Sequence, residues 1–176
     1  RNRSLTTVRE MQRYLYGSLS DLYDSHLLKD ADKGAEIIKE KIETGKKIRI
    51  ISDYDVDGVS SNYILYQGLK RCGADVDYKI PDRVEDGYGI NEHLIEKAAE
   101  DGIDTIITCD NGIAAAEQIA YGNSLGLTLI VTDHHDIPFQ RQEDGSISYN
   151  LPSAAAVINP KQKDCPYPFE NICGAV

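Results

Sequence analysis

The sequence has no C-x-x-C pair, no stretch of 18 apolar residues and no charged-then-apolar leader at its start. Each absence removes a class of protein. Cys72, Cys109, Cys165 and Cys173 lie too far apart for a zinc site or for a disulfide framework in a chain of 176 residues, so reduced thiols are expected. With no secretion or membrane-spanning signal, the expected location is cytoplasmic, with no membrane partner. Internal repeats and low-complexity tracts are also missing. Basic residues are scarce after the first 50 positions: residues 1–50 carry 11 Lys and Arg against 8 Asp and Glu, and the remainder carries 8 against 21. The net charge is −10. A body this acidic is unsuited to non-specific polyanion binding, which relies on Lys and Arg against phosphates.

What is present is enough apolar material, 41% of residues, for one globular domain with a core. The chain opens on Arg1 and stops on "ICGAV", and the expectation is a piece of a longer protein. Residues 1–30 read as a helical lead-in, with Val8, Met11 and Leu15 on an apolar face packed against the domain; residues 31–176 read as the domain itself. From residue 31 the pattern alternates. "DKGAEIIKEKIETG" has Ile37, Ile38 and Ile42 at helical spacing, Asp32 as cap candidate and Gly45 as stop. "KIRIIS" follows as a buried strand. Three further cycles pair helices ending at Gly73, Gly102 and Gly126 with the strands "VDYKIP", "IDTIITC" and "LTLIVT". Continuous Ile, Val and Leu strands between helices of this length predict an α/β, doubly wound, mainly parallel sheet with helices on both faces. Beyond residue 137 the sequence predicts a polar loop, then a short strand in "AAAVINP".

Acids recur where these strands end: Asp53, Asp55 and Asp57 in "SDYDVDG", then Asp82, Asp110, and Asp133 followed by His134 and His135. Asp and Asn are common at such places as turn formers and caps, so any one alone reads as structural. Four strands in succession, one with three acids and one with Asp-His-His, point instead to ligands gathered at the carboxyl edge of the sheet, where open parallel sheets bind. Divalent cations make such crowding tolerable. At a strand end the spacing i, i+2, i+4 aims Asp53, Asp55 and Asp57 to one side, so they can share one cluster.

Three metal or phosphate chemistries compete. The calcium-loop pattern D-x-D-x-D-G needs a bidentate Glu at its twelfth position, where Ile64 stands, and a preceding helix where a strand is predicted. Phosphatases with a nucleophilic Asp after the first strand remain open, but leave the paired histidines unused. A two-metal phosphoesterase uses both: Asp oxygens and imidazole suit Mn²⁺ or Mg²⁺, and a carboxylate can bridge two ions.

"SDYDVDG", "IPDRVEDGYGIN", "CDNGI", "VTDHH" and "LPSAAAVINPKQKDCPYPF" resemble, in order and spacing, the successive motifs of the DHH phosphoesterases. Within that family the likeness is to the bacterial exonucleases that degrade single-stranded DNA from the 5′ end, and it runs from about residue 10 to residue 176. The resemblance implies a two-metal hydrolase of phosphodiesters using Mn²⁺ or Mg²⁺. Asp55 and Asp57 would bind metal with Asp53 beside them, Asp110 would bridge both ions and His134 would be a direct ligand. His135 would face the scissile phosphate, Asp133 would orient the imidazoles, and Arg83, near Tyr88 in the second motif, would contact phosphate. Ile51 stands where some relatives have His, which shifts weight to Asp53. The family's last metal-binding Asp and a C-terminal domain that grips single-stranded DNA would lie beyond Val176. The resemblance also admits hydrolysis of short oligonucleotides, cyclic dinucleotides or pyrophosphate, and, outside enzymes, a metal-free replication scaffold.

Overall fold

The computed structural model describes residues 5–83, 87 and 89–175. Five strands, β1 (Lys47–Ser52), β2 (Asp75–Lys79), β3 (Thr105–Cys109), β4 (Thr128–Thr132) and β7 (Ala156–Ile158), form one sheet in the order β2-β1-β3-β4-β7. Every pairing in it is parallel. The strand pleat sorts the core. Ile48, Ile50, Ile107 and Ile130 face α2 (Ala31–Glu43) and α3 (Val56–Arg71), while Ile51, Ile106, Leu129 and Val131 face α4 (Glu92–Glu100) and α5 (Ala116–Ser124). Both faces are covered, which is why the strands read as unbroken apolar runs.

Order in the sheet decides where a ligand can sit. From β1 the chain moves outward to β2, then crosses back to β3 and proceeds the other way. The carboxyl ends of β1 and β3 therefore flank a topological switch point, where diverging connections leave a crevice. Asn111, just after β3, ties this point together. Its buried amide donates to the carbonyls of Ile51 (3.0 Å) and Cys109 (2.9 Å), and its oxygen accepts from the Ile90 N–H (3.2 Å).

Several local expectations are corrected. Helix α2 begins at Ala31, with left-handed Asp30 at its cap, so Asp32 lies inside the first turn and pairs with His26. Asp30 makes no side-chain cap because its carboxylate accepts the Val157 N–H at the edge of the sheet (3.1 Å). The lead-in helix α1 (Val8–Tyr16) has a complete Thr7/Glu10 capping box, yet buries no residue: Val8 is 71% and Leu15 66% exposed. The capping box orders it without packing. The stretch after residue 137 is a hairpin, β5 (Phe139–Arg141) with β6 (Ile147–Tyr149). Asp144 and positive-φ Gly145 turn it, a short-range signal present in the sequence. No helix among the described residues is long and apolar enough to cross a membrane.

Replacing Asn111 by Ala removes its bonds to the buried carbonyls of Ile51 and Cys109 and the side-chain acceptor of the Ile90 N–H. Urea unfolding should show a loss of about 2–4 kcal/mol at unchanged m-value, given the cost of unsatisfied buried groups.

Candidate metal centre

Three loops build the site. The first is the elbow "SDYDVDG". β1 ends at Ser52, Asp55 is the N-cap of α3, and Asp57 lies in its first turn. The three acids therefore converge through a strand-to-helix bend, and the alternation expected of a continuing strand is corrected. Asp55 Oδ1 accepts the Gly58 N–H (2.9 Å), and buried Asp53 accepts the Tyr54 N–H (2.7 Å). Gly58 is required by this bend: a Cβ there would stand 2.4 Å from the Asp53 carbonyl oxygen.

The second loop follows β3. Asp110 adopts φ 61°, in the left-handed region that Asp tolerates better than most residues. Gly112, at φ 106°, has no room for a side chain, since a Cβ would meet Thr108 Oγ1 at 2.6 Å. This tight turn holds the Asp110 carboxylate in the crevice, where the residue is 2% exposed.

The third loop follows β4. Asp133 uses both oxygens internally: Oδ1 accepts from the backbone of His134 (2.7 Å) and His135 (3.0 Å) and from His135 Nδ1 (2.7 Å), while Oδ2 accepts the Ile113 N–H (2.9 Å). It orients the His135 ring but not the His134 ring. His134 Nε2 instead reaches Asp110 Oδ1 (2.9 Å) and Asp57 Oδ2 (3.4 Å). Buried Asn159 donates to the His135 carbonyl (3.0 Å), and Lys161 pairs with Asp136 (2.8 Å), pinning the loop to the end of β7. Neither contact was legible from spacing.

Two groups of donor atoms result, each with all its atoms within 4.8 Å of one another: Asp53, Asp55 and Asp110, and Asp110, His134 and His135. Asp110 belongs to both, and Asp57 adjoins the second through His134. Among the described residues no lysine or arginine forms an ion pair with Asp53, Asp55, Asp57, Asp110 or Asp133. The electrostatic consequence is a carboxyl that resists ionisation. Burial, then the charge of Asp57, pushes Asp110 up to about 6, against the opposing hydrogen bond from His134. Asp53 is raised by burial and by Asp55. For His135 burial disfavours the charged ring, but the hydrogen bond and charge of Asp133 outweigh it and raise its pKa. Hard carboxylate oxygens with imidazole in two adjoining clusters sharing one acid fit a pair of divalent cations.

Not every predicted residue joins. Asp82, beyond edge strand β2, is exposed and belongs to neither donor group. Arg83 is exposed with its guanidinium 5.5 Å from the Tyr54 ring centre, beside the elbow acids. Tyr88 lies outside the described residues.

The chain is similar to known proteins. A family model described as "DHH family, N-terminal domain" matches residues 47–175. The single-stranded-DNA-specific exonuclease RecJ of Bacillus subtilis (strain 168) is 38% identical over 172 residues, covering 98% of this chain but 21% of that protein. A crystal structure of exonuclease RecJ bound to manganese superposes with TM-score 0.69 at 31% identity, over 81% of this chain and 34% of that one. RecJ from Thermus thermophilus in complex with Mn²⁺ gives TM-score 0.67 at 26% identity, over 94% of this chain and 23% of that one. The chain thus spans about a fifth to a third of the length of these relatives.

Asp110 should oppose folding when no metal is bound. Its carboxyl moves from 3.8 to about 6 on folding. The penalty is absent below the lower value, grows between the two and is complete above the upper. Above that range, Asp110→Asn should stabilise the metal-free protein to urea by about 1–3 kcal/mol, and abolish the stabilisation that Mn²⁺ confers on the parent. A metal-free parent that is the more stable of the two would contradict the electrostatic account.

Proposed function

Since the chain belongs to the DHH family, we propose that it carries most of the active site of a metal-dependent exonuclease that hydrolyses single-stranded DNA from the 5′ end, in DNA repair and recombination. The observation that supports this best is the shared position of Asp110, in contact with both donor groups at the sheet's switch point. One cation would be held by Asp53, Asp55 and Asp110, the other by Asp57, Asp110 and His134, with Mn²⁺ or Mg²⁺ suited to these donors. Bound there, such ions supply a water that ionises near neutral pH and neutralise charge on the attacking and leaving oxygens of an in-line displacement.

The protein's own groups do the rest. His135 is fixed at Nδ1 by Asp133, which leaves its other ring nitrogen to donate to a phosphate oxygen; its raised pKa favours the protonated ring. Asp133 is the positioning residue that sets this orientation. Arg83, with its guanidinium 5.5 Å from the Tyr54 ring centre, would contact a phosphate of the strand entering past the elbow. With net charge −10 and most of the acids after residue 50, the grip on DNA comes from parts of the protein beyond residues 1–176. The chain alone should bind single-stranded DNA weakly, and sub-micromolar affinity at physiological salt would contradict this.

The substrate assignment is tested by giving the protein Mn²⁺ with 5′- and 3′-labelled single strands beside short oligonucleotides, cyclic dinucleotides and pyrophosphate. Nucleotide release from the 5′ end of long strands supports it, and turnover confined to the small substrates overturns it. In the same assay His135→Ala should lower kcat by about 10²–10⁴-fold, while calorimetry shows Mn²⁺ binding intact. Loss of the metal in that variant would show that His135 is a ligand instead.

A further inference from the structure

The segment 173–175 reaches the site from 117 positions downstream of Asp57 and bonds to that residue through backbone amides. The Gly174 N–H donates to Asp57 Oδ2 (2.7 Å) and the Ala175 N–H donates to Asp57 Oδ1 (3.0 Å). Each carboxylate oxygen thus takes one amide, which fixes the rotation of the carboxyl plane. The remaining lone pairs stay available on the side of His134 Nε2, 3.4 Å from Oδ2. Gly174 is also wedged against the neighbouring acid. A Cβ there would stand 2.9 Å from Asp110 Cβ, 3.0 Å from Asp110 Oδ1 and 3.0 Å from Ser61 Oγ. Ser61 in turn donates to the Asp57 carbonyl (2.6 Å), so one small cluster holds both the backbone and the carboxylate of Asp57.

We infer that Gly174 and Ala175 form a backbone clamp that presets Asp57 for the cation it shares with Asp110 and His134. The inference rests on the metal reading above and adds to it a pair of positioning residues with no side-chain chemistry of their own. Glycine is needed at 174 because the amide can reach Asp57 only where the chain lies closer to Asp110 than a side chain permits. The N–H is needed at 175 because it is the sole donor to Oδ1 among the described residues.

Two measurements test the clamp. Mn²⁺ titration by calorimetry compares the parent with Ala175→Pro, which deletes the N–H, and with Ala175→Gly, which keeps it. Ala175→Gly should bind as the parent does, while Ala175→Pro should lose about tenfold or more in affinity for one ion and retain the other. A Pro variant that melts like the parent and binds both ions as tightly overturns the clamp. Hydrogen exchange on the metal-free chain covers the case in which the Pro variant does not fold. The Gly174 and Ala175 amides should exchange about tenfold faster in Asp57→Ala than in the parent, and equal rates would overturn the clamp. A parent that binds no Mn²⁺ would instead overturn the metal reading, and the role inferred here with it, whatever the exchange rates.

Discussion

Carboxylates brought within a few ångströms of one another in a partly dry crevice repel, and that repulsion has to be offset by cations or by protons. Asp53, Asp55, Asp57 and Asp110 are in this position at the mouth of the crevice between β1 and β3. Protons are the answer of the metal-free protein, in which Asp110 titrates at about 6. Divalent ions are the answer that the donor set favours, since they neutralise several acids at once. The rest of the site follows from keeping the acids together in spite of their charge.

Backbone geometry does the holding. Gly58 lets the first turn of α3 pass directly over the Asp53 carbonyl, Gly112 lets the turn after β3 fold back on Thr108, and Gly174 lets a remote segment lie against Asp110. In each case the neighbour sits where a Cβ would be, so the side-chain-free residue is what allows the approach. Buried amides complete the frame. Asn111 binds the ends of β1 and β3 to each other, and Asn159 binds the Asp-His-His loop to the end of β7. Because these contacts are with carbonyls, they leave the acids free to face the crevice.

The two histidine rings touch different groups. His134 points to Asp110 and Asp57 and completes a donor group, whereas His135 is turned by Asp133 and left 46% exposed. Adjacent in sequence and with ring centres 4.5 Å apart, they part because the His135 ring bonds to Asp133 and the His134 ring to Asp110. Asp133 belongs to neither donor group: its Oδ1 accepts three N–H groups and its Oδ2 accepts the Ile113 N–H.

The layered α/β fold is legible in the chain's own pattern, because unbroken apolar strands between glycine-stopped helices can be buried only in a parallel sheet covered on both faces. So are most of the acids and the histidines that meet, since every parallel strand presents its carboxyl end to the same edge. How they meet was settled by packing. The convergence of Asp53, Asp55 and Asp57 comes from a bend whose geometry depends on close approach over Gly58, and strand alternation predicted the wrong cause. The exclusion of Asp82 follows from the edge position of β2, and sheet order is not written in local periodicity. The contacts Asn111–Ile51, Asn159–His135 and Gly174–Asp57 link positions 60, 24 and 117 apart, each through a backbone group that every residue carries, so no residue type marks the partner in advance.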